Sequence, residues 1–217
     1  AQAADAAAAA AGAFDAWSRT TPEHRCELLN RAAELLDAHA DELVPLVQAE
    51  TGATMRVAKS MQVPQAAARF RRYAEGAKEP TVTPLRPQTV PATALAPGGV
   101  ISAIANRAPV GVVTAISSYN FPVVNMAGKV APALAMGNTV IMKPAPQDPL
   151  AVTVFGEILD DAGFPPGVVN VVVGSGAEVG EAITSSPSVD MVSFTGSTVV
   201  GQRIGEVCGR SMKRQLM

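Results

Sequence analysis

Val110-Gly111-Val112-Val113-Thr114-Ala115-Ile116 is an unbroken, largely β-branched run, and it constrains the fold more than any other segment. Apolar residues without alternation mark a strand buried on both faces, hence a parallel sheet covered by helices. Ser117-Ser118-Tyr119-Asn120-Phe121-Pro122 stops the run. Pro122 suits the first turn of a helix, where no backbone N–H is needed. The pattern then repeats: strands are predicted at 110–116, 138–142, 168–173 and 190–193, with helices near 121–136, 149–162, 176–185 and 197–208. Gly137-Asn138 ends the first of these helices, and Gly163 with Pro165-Pro166-Gly167 ends the second. Strand–helix repetition with short connections predicts an α/β fold whose open parallel sheet carries helices on both faces.

The chain before this sheet divides into two zones. Residues 1–78 are helical by pattern, rich in Ala, Leu, Glu and Arg. Thr21-Pro22-Glu23 marks one helix start, and Leu28, Leu29, Ala32, Leu35 and Leu36 share an apolar face at helical spacing. Gly52 punctuates the next boundary. Residues 79–108 are rich in Pro, Thr and Gly, with an extended piece at Gly99-Val100-Ile101-Ser102-Ala103-Ile104. That length exceeds an ordinary loop and predicts a strand-forming arm. The expected organisation is thus an N-terminal helical segment at 1–78, an arm at 79–108 and the sheet domain at 109–217.

Composition removes several function classes. A net charge of −2, without a basic stripe carrying interleaved aromatics, argues against a nucleic-acid surface. Cys26 and Cys208 are far apart and the histidines are only His24 and His39, so neither a disulfide framework nor a metal cluster is expected. This fits a reducing, cytoplasmic setting. The Ala-rich stretch Ala1–Ala13 lacks a basic n-region and the length of a membrane span, so it reads as a helix rather than a targeting segment.

Open α/β sheets bind ligands at their carboxyl edge, and three corners there carry candidate chemistry. Asn120, between the first strand and its helix, has two readings: a helix cap, or a carboxamide facing a ligand. Lys143, in Met142-Lys143-Pro144-Ala145-Pro146, is either a solvated strand-end lysine or a cation held at the ligand edge. Phe194-Thr195-Gly196-Ser197 follows the last predicted strand and opens a helix. Gly196 permits close approach, Ser197 offers a hydroxyl, and first-turn N–H groups aim at an anion. No Gly-x-Gly-x-x-Gly fingerprint follows the first strand, so phosphate binding must occur elsewhere.

Asn-Phe-Pro at 120–122, Lys-Pro at 143–144 and Phe-Thr-Gly-Ser-x-x-x-Gly at 194–201 together resemble the aldehyde dehydrogenase superfamily, in order and in spacing. Lys129-Val130-Ala131-Pro132-Ala133-Leu134-Ala135-Met136-Gly137-Asn138, Phe164-Pro165-Pro166-Gly167-Val168-Val169-Asn170 and Glu50-Thr51-Gly52 resemble it too. The resemblance implies a Rossmann-like sheet that binds NAD or NADP, and a role for each matching residue. Asn120 corresponds to the carboxamide that donates to the developing oxyanion. Ile116, Ser117 and Tyr119 would line the cofactor groove. Lys143 would bond the adenosine ribose, with Pro146 where NAD-preferring relatives usually carry a glutamate. Gly176 and Gly180 would admit the adenine end. Ser197 would contact the pyrophosphate, with Phe194, Thr195 and Gly196 beside it, and Gly196 under the nicotinamide side. Lys129 is first a structural support.

The same resemblance implies an aldehyde substrate, a cysteine thioester route and a homodimer or homotetramer joined through the arm. The family's nucleophilic cysteine and its Glu-Leu-Gly-Gly base are expected outside these residues, because Gln215-Leu216-Met217 stands where the glutamate motif should begin. Cys208 lies in a helical stretch and Cys26 in a Leu-rich helix, so neither is the expected nucleophile. Val124, Asn125 and Gly128 should border the substrate entrance, and Gly128, where many relatives carry a large residue, implies room for a bulky aldehyde. Two other readings stay open: a non-catalytic nucleotide-binding module, and an acyl-phosphate reductase on the same fold.

Overall fold

The computed structural model describes residues 1–217. Helices α1 (Gln2–Ser18), α2 (Pro22–Ala38) and α3 (Ala40–Thr51) open the chain. The Thr21 hydroxyl accepts from the His24 N–H at 3.2 Å, satisfying a first-turn donor of α2. Gly52 ends α3 in the left-handed region at φ +69°, a conformation only glycine adopts freely. A short α4 (Met55–Val57) runs into a π-helical turn at Ala58–Gln62 and then α5 (Val63–Gly76).

The arm is a long nested hairpin. Strand β1 (Val82–Pro84) pairs antiparallel with β4 (Ile104–Asn106), and β2 (Gln88–Val90) pairs with β3 (Gly99–Ile101). The extended piece at 99–104 contributes to two strands, because Ser102 and Ala103 fall outside both ladders. Val100, Ile101 and Ile104 all stay exposed.

The main sheet is built from β5 (Val112–Ile116), β6 (Thr139–Lys143), β7 (Val169–Val171), β8 (Met191–Phe194) and β9 (Arg214–Leu216). Its order is β7-β6-β5-β8-β9, with every pair parallel. The chain starts at the centre, moves out to β7, and crosses back over β5 to β8. This is the doubly wound topology, and its direction reverses between β5 and β8. β9 has no counterpart in the predicted strands: three residues, Arg-Gln-Leu, carry no apolar run to announce it.

Connections α6 (Pro122–Ala135), α7 (Leu150–Asp161), α8 (Glu181–Ser185) and α9 (Thr198–Arg210) cover both faces, and a π-helical turn at Gly176–Gly180 leads into α8. Strand alternation divides the core between them. Val113, Ala115, Val140 and Met142 join the larger core beneath α2, α5, α6 and α7. Val112, Ile116, Ile141 and Val192 face the smaller one with Ala7 and Ala10 of α1, Ile183 of α8 and Ile204 and Cys208 of α9. In the larger core the Phe70 and Phe155 rings meet edge-on at 5.7 Å, where full burial of each ring stabilises the fold by about 1.5–3 kcal/mol.

The sheet's entry is fixed by one side chain. Asn138 Oδ1 accepts from the N–H of Val110 at 2.6 Å and of Gly111 at 3.0 Å, while its Nδ2 donates to Ala133 O at 3.0 Å. The ladder accordingly begins at Val112 rather than Val110. Gly111, at φ +131°, passes the Asp190 carboxylate, which would overlap any Cβ there; that carboxylate accepts from Val112 N at 2.8 Å.

Glu50 connects α3 to α7. Its carboxylate accepts from the N–H of Leu150 at 2.6 Å and of Ala151 at 2.8 Å, capping a helix a hundred residues away in the chain. Asp148, 0% exposed and with neither carboxylate oxygen bonded, lies beside it. Burial first, and the Glu50 charge second, push the Asp148 carboxyl up to about 7. A carboxyl raised in the fold favours the protonated form, so its contribution is complete below about pH 4 and is lost as pH rises through about 7. Asp148→Asn should leave unfolding free energy near wild type at about pH 4 and raise it by roughly 2 kcal/mol or more at about pH 8. Urea unfolding at both pH values checks this, and an equal effect at both would refute it.

Candidate functional site

At the carboxyl ends of β5, β6 and β8 the sheet opens into a cleft of about 600 Å³, at the point where the strand order reverses. Four separate turns reach it. Ile116, Ser117, Tyr119 and Asn120 come from the end of β5 and the turn after it, and Lys143 and Pro146 from the end of β6. Gly176 and Gly180 come from the second π-helical turn, and Phe194, Thr195, Gly196 and Ser197 from the end of β8. All twelve residues that the sequence assigns to oxyanion or cofactor binding line this one cleft, whereas Val124, Asn125, Gly128 and Lys129 do not.

Asn120 does not cap α6. The N-cap is Phe121, without a side-chain cap bond. The Asn120 Oδ1 instead accepts from Ser118 Oγ at 2.8 Å, and Ser118 Oγ accepts from Asn125 Nδ2 at 2.9 Å. The Asn120 backbone carbonyl accepts from Gln62 Nε2 at 3.4 Å. Gln62 is fully buried with its Oε1 unpaired, and it closes the first π-helical turn, a distortion frequent at functional sites. Ser117 Oγ is also buried and unpaired. Tyr119 is 61% exposed at the rim.

Lys143 is only 3% exposed, so the cleft meets the flank of a buried side chain rather than a solvated strand end. Its Nζ donates to Pro144 O at 2.9 Å, and burial lowers its pKa. Across the cleft, a Cβ on Gly176 would meet nothing within 4 Å, and one on Gly180 only the Lys143 stem at 3.8 Å. Space, rather than backbone strain, is what these two glycines provide. Gly196 is different: a Cβ there would come within 2.5 Å of the Phe194 ring. The glycine is demanded by the neighbouring ring, whatever lies over the other side of the turn. Ser197 is the N-cap of α9, and its Oγ accepts from Val200 N at 3.4 Å.

Lys129 ties α6 to the turn after β8, with Nζ 2.8 Å from Thr195 Oγ1 and 3.4 Å from Ser193 Oγ. Burial first, then the Arg69 charge, lowers its pKa to about 8. The room expected beside Gly128 is taken: the Arg69 guanidinium occupies the position of its missing side chain and donates from Nη1 to Val124 O at 2.7 Å. The absent side chain on α6 is replaced by one from α5, which a reading of α6 alone does not show. Cys26 and Cys208 are both buried, and burial pushes the Cys208 thiol up, away from the reactive thiolate.

Other residues of the cleft were not anticipated. Val200, Arg203 and Ile204 line it from α9, and Glu181 and Thr184 from α8. Helical spacing from Ser197 and from Gly180 would have found both sets. Arg203 bonds Glu181 at 2.5 Å and Glu206 at 3.2 Å, so its positive charge is shared at the cleft wall.

A family model described as "Aldehyde dehydrogenase family" matches residues 1–217. The chain belongs to the aldehyde dehydrogenase family. Among aldehyde dehydrogenases, it is 44% identical over 207 residues to the phenylacetaldehyde dehydrogenase of Pseudomonas fluorescens, covering 95% of this chain and 40% of that protein. It is 37% identical over 209 residues to an NADP/NAD-dependent aldehyde dehydrogenase of Escherichia coli, again 95% of this chain and 40% of that one. The crystal structure of Pseudomonas syringae aldehyde dehydrogenase C, a C291A mutant with NAD+ and octanal, superposes with a TM-score of 0.88 at 36% identity, over 99% of this chain and 42% of that one. A Staphylococcus aureus betaine aldehyde dehydrogenase with NAD+ gives 0.89 at 30% identity, over 98% and 41%. The chain thus spans about 40% of the length of the curated aldehyde dehydrogenases it matches. No helix is long and apolar enough to cross a membrane.

Proposed function

We propose that this chain is the cofactor-binding portion of an NAD(P)-dependent aldehyde dehydrogenase that oxidises an aldehyde to a carboxylic acid through a cysteine thioester. One observation carries the reading: four separate turns bring the twelve family-matching residues to a single cleft at the switch point of a doubly wound sheet. The cleft fits a dinucleotide on its own chemistry. It offers about 600 Å³, a buried hydroxyl on Ser117 without a partner, open space over Gly176, and a helix N-terminus at Ser197 suited to phosphate.

In this reading Ile116, Ser117 and Tyr119 line the cofactor groove, Lys143 holds the ribose, and the first turn of α9 the pyrophosphate. The bound cofactor would accept the hydride equivalent released by the aldehyde. Asn120 donates from Nδ2 to the carbonyl oxygen as negative charge develops on it. Such a donor, fixed before the reaction, lowers the barrier without reorganising. The nucleophilic cysteine and the general base belong to the rest of the enzyme, since both cysteines here are buried in the cores. The free Asn120 N–H groups count against a non-catalytic module, which has no use for them.

The reading extends to a reducing, cytoplasmic setting, supported by two free thiols, and to an oligomer. The arm exposes Val82, Leu85, Val100, Ile101 and Ile104, an apolar, strand-edged surface suited to a second copy of the enzyme. The test is direct. Purified full-length enzyme should reduce NAD+ or NADP+ in the presence of an aldehyde and sediment as a multimer, while the 217-residue chain alone turns over none. Turnover by the segment alone, or no aldehyde-dependent reduction by the full-length enzyme, would overturn it.

A further inference from the structure

Asn120 is solvent-exposed at a turn, and a carboxamide is chemically two-faced. Rotated by half a turn it would aim an oxygen, not an N–H, at a developing oxyanion. Nothing in Asn120 itself prevents this. The surrounding hydrogen bonds do. Asn125 sits in the first turn of α6, anchored by its N–H to Phe121 O at 3.0 Å. Its Nδ2 can only donate, and it donates to Ser118 Oγ at 2.9 Å. With an acceptor site so used, the Ser118 hydroxyl has one proton to give, and it gives it to Asn120 Oδ1 at 2.8 Å. The Asn120 oxygen is thereby held on the protein side and both amide N–H groups face out. Gln62 Nε2 holds the same residue's main chain from α5 at 3.4 Å.

We infer that Ser118 and Asn125 are positioning residues that fix the orientation of the Asn120 carboxamide through a one-way relay, Asn125 to Ser118 to Asn120. The inference rests on the reading of Asn120 as the oxyanion donor. The relay carries a direction because Asn125 meets Ser118 with its donating Nδ2 and Asn120 meets it with its accepting Oδ1. A single neutral hydrogen bond contributes modestly, so losing one link costs orientation only in part. Reversing the polarity of a link costs far more, because it stabilises the wrong rotamer.

The full-length enzyme decides the matter with four variants. Ser118→Ala should lower kcat about three- to tenfold with cofactor Kd and Tm near wild type, and Ser118→Thr, which keeps the hydroxyl, should recover most of that loss. Asn125→Asp is nearly isosteric but can only accept. It draws the Ser118 proton to itself, lets Asn120 donate inward to Ser118, and should lower kcat by about tenfold or more, beyond Ser118→Ala. In an Asn120→Ala background, Ser118→Ala should not lower kcat further, because there is no carboxamide left to orient. Equal losses with and without Asn120, or a Tm that falls in step with kcat, would overturn the relay and make these residues braces of the turn. If Asn120→Ala alone leaves kcat unchanged, the oxyanion reading falls and takes the relay with it. A large Asn120→Ala effect alongside silent Ser118 and Asn125 variants would overturn the relay only.

Discussion

Asn120→Ala should lower kcat of the full-length enzyme by about 10²–10³ while leaving cofactor Kd within roughly twofold. The asymmetry follows from when the hydrogen bond matters. In the ground state the aldehyde oxygen is a weak acceptor and water serves it nearly as well. As the thiolate adds, charge accumulates on that oxygen, and only a donor already aimed at it strengthens the interaction. Asn120 meets this condition: its Oδ1 is occupied by Ser118 and its N–H groups are uncommitted. It caps no helix, so removing the side chain strips no backbone donor of its partner. The loss should thus appear in kcat and kcat/KM together, the signature of an interaction made only in the transition state. A tenfold rise in cofactor Kd with kcat intact would assign Asn120 a structural role instead.

Much of this arrangement was readable in the residue order, for physical reasons. β5 and β6 are buried on both faces and most of their side chains are apolar, so Val112–Ile116 and Thr139–Met142 stand out from any background. Helix ends beside them are marked by glycines at positive φ, such as Gly137 at +79° and Gly163 at +93°. Short edge elements lack that burial. β9 is three exposed residues, and β3 and β4 are separated by an interruption that no residue type marks. The least legible features join distant segments. Glu50 caps α7, Gln62 reaches the Asn120 carbonyl, and Arg69 fills the place beside Gly128. Each depends on which helix lies opposite, and periodicity within one helix carries no record of its neighbour.

NADP should be accepted by this enzyme with a smaller NAD-over-NADP ratio than a relative bearing a glutamate at the position of Pro146 would have. A carboxylate there grips both ribose hydroxyls and repels a 2′-phosphate. Pro146 offers neither an acceptor nor a negative charge, and it lines the cleft beside Lys143 and Gln147. The structure adds two considerations of opposite sign. Lys143 Nζ is turned back onto Pro144 O, so it must rotate before it can pair with a phosphate, which weakens the gain. Arg203 also lines the cleft, and it can be drawn from its exposed pairs with Glu181 and Glu206 toward a stronger anion. Exposed pairs are weak and screened by solvent, so this exchange costs little. Pro146→Glu should then lower kcat/KM for NADP by roughly 30–100-fold, the effect of placing a like charge against the phosphate, and leave NAD unchanged or improved. Steady-state kinetics with both cofactors, on wild type and on Pro146→Glu, measure this. Wild-type rejection of NADP by about 10³, untouched by the substitution, would show that the ribose contact is made by another group, such as Gln147, and that residue 146 does not choose the cofactor.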